Sequence, residues 1–356
     1  MFQGNRMKPV MLWWGRFDPA YSRNRILRDL LRGRGFEIRD FRPRSSLFGT
    51  VESIITRPGT ADCIWVPCFR HRDFNAARRY ADKQRIPLIF DPLISSWDKV
   101  VFERRKYQAS QRRARQLLEW ERSLFRRSDV VIADTQAHRD FFIEELNSPA
   151  DATFVIPVGA EEGLFTAQPR QALSDPPEIL FFGSFIHLQG PQVIVDAAKL
   201  VPQAQWIMLG RGPLRKACES RGAGILNLHF EDWIAYESLP GRIGQADIVL
   251  GVFGESGKAG RVIPNKVYQA LACGRPVVTR ASTAYPDMLE TAHPGLHFVP
   301  PADAAALADT VKELVAEPTR FEQRQHDARR FFEAYFSREH IDASLKTVLD
   351  SPALQS

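Results

Sequence analysis

The sequence predicts an α/β protein made of two similar domains, each a doubly wound parallel sheet, with a cleft between them. Three observations predict it. The chain has 356 residues, more than a single domain of roughly 100–200 residues needs. Short apolar runs alternate with amphipathic stretches from end to end, and strands alternating with helices imply βαβ units on parallel sheets. Near the middle the alternation breaks once, at the polar, proline-marked Gln168-Pro169-Arg170-Gln171-Ala172-Leu173-Ser174-Asp175-Pro176-Pro177.

Taken in order, strands are expected in the first half at 10–14, 36–41, 63–66, 87–90, 130–133 and 154–156. Helical periodicity fills 24–34, 74–84 and 135–146, and one long charged helix is expected over 99–127. After the break, strands are expected at 178–182, 205–209, 225–228, 248–252, 277–279 and 296–299, with helices at 191–200, 266–272, 304–316 and 320–336. Two Rossmann-like domains follow, one over 1–165 and one over 178–336, joined by a linker at 166–177 and followed by a tail at 337–356. In open parallel sheets ligands sit beyond the C-terminal strand ends, where helix N-termini point.

Composition narrows the classes. Apolar residues make up 44%, charged residues 25%, and mean hydropathy is −0.27, values of an ordinary globular protein. No apolar run reaches the roughly 18–20 residues of a membrane-spanning helix, and the first residues do not read as a secretory signal, so a cytoplasmic location is expected. Cys63, Cys68, Cys218 and Cys273 fit neither a zinc ribbon nor a disulfide framework, and no metal is expected. Through Phe165 there are 29 Lys and Arg against 21 Asp and Glu, whereas the remainder holds 19 against 21. A basic first half favours an anionic partner. Nucleic acid is not expected, because no binding module accompanies the charge. The 104–127 stretch interleaves arginines with Leu117, Leu118, Trp120, Leu124 and Phe125. It suits a half-buried helix whose outer face meets an anionic inner-leaflet membrane surface or a lipid-diphosphate acceptor, making the protein peripheral on the cytoplasmic face.

Two loops of the second half carry the chemistry. Gly183-Ser184-Phe185-Ile186-His187-Leu188-Gln189-Gly190-Pro191 joins a strand to a helix, with glycines that permit close backbone approach and a proline that opens the helix. Gly254 through Thr279 reads as a glycine-rich loop, a helix opened near Pro264, a glycine cap at Gly274 and a strand. Lys258, Arg261 and Lys266 gather three cations beside that helix start, an arrangement suited to a diphosphate, and Gln269 lies one turn on, within reach of a sugar hydroxyl. Both lysines are expected to be exposed loop residues.

The second of these segments, ending Asn265-Lys266-Val267-Tyr268-Gln269-Ala270-Leu271-Ala272-Cys273-Gly274-Arg275-Pro276-Val277-Val278, resembles the donor-site signature of family-4 glycosyltransferases, retaining enzymes of the GT-B superfamily. Other stretches agree in order: Ser128-Asp129-Val130-Val131-Ile132-Ala133, then Val155-Ile156-Pro157-Val158-Gly159, then Met208-Leu209-Gly210-Arg211-Gly212-Pro213 and Phe230-Glu231-Asp232-Trp233. The resemblance implies transfer of a sugar from a UDP- or GDP-sugar to a sugar or lipid-linked acceptor with retained anomeric configuration, in polysaccharide or glycolipid biosynthesis, without cofactor or metal. It implies donor binding by Gly15, Gly183, Ser184, Gln189, Gly190, Gly210, Trp233, Lys258, Arg261, Asn265, Lys266 and Gln269. It implies catalytic roles for Asp91, Asp98, Lys258 and Arg261, with the two aspartates at the cleft mouth, and a C-terminal helix within 337–356 crossing back to the first domain. The chain departs from the family pattern at Ser184 and Gln189, where Arg and Lys are usual, and at Arg261 and Gln269, where glutamates are usual. Those departures imply that the diphosphate cations have moved to Lys258, Arg261 and Lys266. A non-catalytic binding protein, or an epimerase or phosphorylase on the same architecture, are the alternatives; a glycosidase carboxylate pair and a serine-hydrolase elbow are absent from the sequence.

Overall fold

The computed structural model describes residues 8–104, 106–286 and 295–355; Arg105 of the arginine-rich stretch lies outside them. The described residues form two units, one within 8–157 together with 341–355, and one within 158–340.

The first unit runs β1 (Val10–Trp14), α1 (Ser22–Gly33), β2 (Glu37–Phe41), α2 (Gly49–Thr56), β3 (Cys63–Val66), α3 (Phe74–Gln84), β4 (Leu88–Phe90), α4 (Ser96–Asp98), α5 (Arg112–Arg126), β5 (Val130–Ala133), α6 (Gln136–Glu144) and β6 (Thr153–Val155). Its sheet order is β2-β1-β3-β4-β5-β6, every pair parallel. The central strands are buried on both faces, which is why they read as unbroken apolar runs rather than alternating ones. Trp13 and Trp65, neighbours on adjacent strands, stack with ring centroids 5.0 Å apart. The expected long helix over 99–127 is broken: a π-helical turn occupies Lys99–Glu103, and a regular helix resumes only at Arg112.

The second unit runs β7 (Glu178–Phe182), α7 (Pro191–Leu200), β8 (Gln205–Leu209), α8 (Arg215–Arg221), β9 (Leu228–Glu231), α9 (Leu239–Gln245), β10 (Ile248–Leu250), α10 (Asn265–Ala272), β11 (Val277–Arg280), β12 (Leu296–Val299), α11 (Ala304–Ala316) and α12 (Phe321–Tyr335). Its order, β12-β11-β10-β7-β8-β9, is again wholly parallel. The chain winds outward in both directions from the β7–β10 pair, so the topological switch point lies there. The expected strand at 225–228 instead starts at Leu228, because Ile225 closes a turn onto Gly222.

The polar segment 166–177 lies within the second unit. Gln168 donates to the Pro240 carbonyl, Arg170 pairs with Asp247 at 3.0 Å, and the Ser174 amide donates to the same carboxylate. The last helix, α13 (Arg338–Leu349), adds Ile341, Leu345 and Val348 to the first unit's core beside Met11, Trp13 and Leu31. Among the described residues no helix is long and apolar enough to cross a membrane.

Candidate functional site

The second unit's switch point is where its two loops meet. β7 ends at Phe182, and Gly183 turns the chain with φ +141°. A Cβ there would stand 2.9 Å from Gln189 Oε1 and 3.2 Å from Lys266 Nζ, so the position needs glycine for its conformation and for its space. The loop then closes a 3-10 turn over His187–Gln189, and Pro191 opens α7. From the other side comes the loop after β10. The Phe253 amide donates to the Gln189 carbonyl and the Gly254 amide to that of Leu188, while a Cβ on Gly190 would meet Gly254 N at 2.8 Å. Backbone thus packs directly on backbone. Arg280, at the end of β11, ties down the far side of the loop by donating to the Gly254 and Ser256 carbonyls.

Lys266 points into this junction from the first turn of α10. It is 4% exposed, its Nζ donates to Gln189 Oε1 at 2.8 Å, and it sits 3.6 Å above the Phe181 ring. Among the described residues no carboxylate appears in its contacts; burial pushes the amine well below its ordinary value of 10.5. Held by one amide oxygen and the Phe181 and Phe182 rings, 3.6 and 5.9 Å away, its ammonium form has an anionic ligand as its natural complement.

The structure therefore brings Gly183, Gln189, Gly190 and Lys266 together. Lys258 is also buried, on a 3-10 turn over Lys258–Gly260, so the exposed-lysine expectation is corrected for both. The correction has a physical source: the glycine-rich loop is not a solvated flap but is strapped to neighbouring strand ends. Arg261 curls back over Gly257, where a Cβ would meet its Nη1 at 3.0 Å. Asn265 is half-buried at the start of α10, Ser184 is exposed, and Trp233 is exposed by 47%. Gly210 follows β8, its amide bonded to the Glu231 carbonyl. Gln269 is turned toward Tyr236, its Nε2 3.4 Å from the tyrosine hydroxyl, which in turn donates to Glu161 at 2.8 Å. Tyr236 and Glu161 were not legible as a pair, being separated by some 75 positions.

In the first unit Gly15 follows β1 with φ +136°, packed against Arg70 and Asp73. The two aspartates do not stand at an open mouth. Asp91 is fully buried and accepts from Arg23 Nε at 2.9 and 3.1 Å; Arg23 also donates to the Ile156 and Pro157 carbonyls. Burial pushes the Asp91 carboxyl up, against the pull of Arg23. Asp98 is 1% exposed in a helix start capped by Ser95. Glu121, missed in the sequence, organises that turn from α5. Fully buried, it accepts from Ser95 Oγ and from the Ser96 and Trp97 amides, with His71 Nε2 3.2 Å away. Among the described residues no cluster of three or more His, Cys, Asp or Glu could hold a metal ion.

Two Rossmann-like units, the second with a buried cation at its switch point, define the class as a GT-B fold protein. The family follows from the sequence: residues 13–159 match the family described as glycosyl transferase 4-like domain, and residues 176–317 that described as glycosyl transferases group 1. The two matches take in both sheets, and the chain belongs to the GT-B glycosyltransferases. A curated relative, "Putative colanic acid biosynthesis glycosyltransferase WcaL" of Escherichia coli K12, is 27% identical over 202 residues, 52% of this chain; the match spans 47% of that relative's length. Among solved structures, HepE of Anabaena in complex with UDP is similar at TM-score 0.72 and 16% identity, over 96% of this chain and 100% of that one. Sucrose-phosphate synthase of Thermosynechococcus elongatus is similar at TM-score 0.75 and 19% identity, over 98% and 100%.

Proposed function

We propose that the protein transfers a sugar from a nucleoside-diphosphate sugar to an acceptor hydroxyl with retention of anomeric configuration, in the assembly of a cell-surface polysaccharide or glycolipid. The observation that carries this reading is Lys266, an amine buried at the switch point of a parallel sheet between the Gln189 amide oxygen and the Phe181 ring, with no carboxylate partner among the described residues. HepE's UDP makes a uridine donor the first candidate and GDP the second. In the reaction the bond from the sugar's anomeric carbon to the diphosphate breaks and the acceptor oxygen bonds to that carbon on the same face. The acceptor's proton passes to the departing phosphate. Charge grows on the leaving diphosphate, so Lys266, Lys258 and Arg261, with the first amides of α10, stabilise the transition state more than the ground state. These fixed cations supply the countercharge a metal would otherwise bring, and metal-independent turnover follows from the reading.

Asp91, buried as it is, acts through Arg23 and the Ile156 and Pro157 carbonyls that Arg23 holds, and Asp98 through the Ser95-capped turn it belongs to. The acceptor is a sugar or a lipid-linked sugar, and the arginine-rich 104–127 stretch is the contact to anionic inner-leaflet lipid. Arg112, Arg113, Arg115 and Arg126 are exposed on α5 while Leu124 and Phe125 are buried, so this helix offers charge alone. The test is incubation with UDP-, GDP- and dTDP-sugars, following thermal shift and nucleotide release with and without simple sugar acceptors, and the anomeric configuration of any product by NMR. Stabilisation with acceptor-dependent release and a retained anomer supports the proposal. Binding of nucleotide without release under any acceptor points to a binding protein, and an inverted anomer overturns retention.

A further inference from the structure

The first unit carries a helix turned inside out. On α2 the inward side is small and polar: Gly49 is buried, where a Cβ would meet Ala76 at 3.1 Å, and Ser53 is 4% exposed with its hydroxyl bonded to the Thr50 carbonyl. The outward side is apolar. Leu47, Phe48, Val51, Ile54 and Ile55 are exposed by 89, 64, 54, 60 and 74%. Their spacing places all five on one stripe of the helix and the turn leading into it. Monomeric soluble surfaces rarely gather so many large aliphatic and aromatic side chains in one place.

Cations surround the stripe. Arg42 and Arg44 precede it, Arg57 closes α2, and Arg79 and Lys83 stand on the neighbouring α3, all exposed. The nearby carboxylates are occupied locally: Glu52 accepts from the Arg44 amide, and Asp82 pairs with Arg78 at 2.8 Å. Between α2 and α3 opens a cavity of about 490 Å³ whose lining includes Ile54 of the stripe, the hydroxyls of Thr50, Ser53 and Tyr80, and the cations Arg57, Arg79 and Lys83. Apolar side chains ringed by Lys and Arg, beside a pocket for an anion, match the layering of a bilayer surface, with acyl chains beneath phosphate headgroups.

We propose that α2 is a membrane-docking element: Leu47, Phe48, Val51, Ile54 and Ile55 enter the acyl boundary of an anionic phospholipid bilayer while Arg57, Arg79 and Lys83 hold headgroup phosphates. The inference does not depend on the transfer reaction and shares with the α5 reading only its lipid. It differs from that reading in supplying apolar insertion as well as charge.

The experiment is co-sedimentation of the full chain with vesicles of phosphatidylcholine alone and of phosphatidylcholine mixed with phosphatidylglycerol. Three variants accompany wild type: Val51→Ser/Ile55→Ser, Arg79→Ala/Lys83→Ala, and Arg112→Ala/Arg113→Ala on α5. Wild type is expected to sediment with the mixed vesicles and far less with phosphatidylcholine alone. The serine pair should lose about tenfold or more in partitioning, and the α3 pair about fivefold or more. All the substituted side chains are exposed, so melting temperatures should match wild type. Wild type left in the supernatant with every vesicle overturns both this proposal and the α5 contact. Loss confined to the α5 variant overturns this proposal and leaves the α5 contact standing. A wild-type dimer in sedimentation velocity that the serine pair dissolves, with vesicle binding unchanged, assigns the stripe to a second copy and also overturns it.

Discussion

Replacing Lys266 by Met separates a functional cation from a structural one. The substitution removes a charge-assisted hydrogen bond to Gln189 and a contact over Phe181, together worth roughly 2–5 kcal/mol. It also removes the desolvation penalty of a buried ammonium, itself several kcal/mol, and methionine fills nearly the same volume. These terms offset, so the melting temperature should equal or exceed that of wild type. UDP binding should instead weaken roughly ten- to a hundredfold, as one charge-assisted contact of about 1.5–3 kcal/mol is lost. Protons give a second signature. Because burial lowers the Lys266 amine below 10.5 in the folded state, the unfolded chain binds more protons between the lowered value and 10.5. Stability contributed by this group therefore rises with pH across that window. A bound diphosphate restores the charged form, so UDP binding at pH values between the lowered value and 10.5 should take up protons, and calorimetry in buffers of different ionisation enthalpy detects it. In Lys266→Met the uptake should vanish. A variant that melts several degrees lower yet binds UDP within about twofold of wild type would refute the reasoning, because the lysine would then be a structural residue.

Three further outcomes follow from the same geometry. Gly183→Ala forces a Cβ against Gln189 and Lys266 at a strongly positive φ; nucleotide-dependent thermal stabilisation should shrink markedly, and an unchanged shift would mean the junction is not the binding site. Asp91→Asn leaves Arg23 charged and buried without its carboxylate, a loss on the order of 3–5 kcal/mol that urea unfolding should register; a change under about 1 kcal/mol would show that the pair is dispensable. Turnover in excess chelator should match untreated enzyme, and absolute dependence on added Mg²⁺ or Mn²⁺ would show that the cations of the second unit do not supply the countercharge.

The strands were legible because parallel strands covered on both faces appear as unbroken apolar runs, as at Cys63–Val66 and Val130–Ala133. α2 was not, because its Gly49, Thr50, Ser53 and Thr56 are poor helix formers and its apolar residues face outward rather than marking a core. The broken 99–127 helix is hard to read because its charge pattern continues through the interruption before Arg112, while Glu121 fixes the start of the first turn by accepting from the Ser96 and Trp97 amides across 25 and 24 positions. At the junction beside β7 and β10, the two glycine-bearing loops and the lysine at the start of α10 are readable from local spacing. The burial of Lys266 is not, because it is set by Gln189, 77 positions away. The same holds for Asp91, whose role depends on Arg23 across 68 positions.

The account rests on the diphosphate of the donor occupying the junction of Gly183, Gln189 and Lys266, and a crystal structure with UDP bound tests it most directly. The account predicts phosphate oxygens within about 3.2 Å of Lys266 Nζ, with the lysine drawn off Gln189 and the α10 amides facing the same group. UDP bound elsewhere, with Lys266 still donating to Gln189, would contradict it.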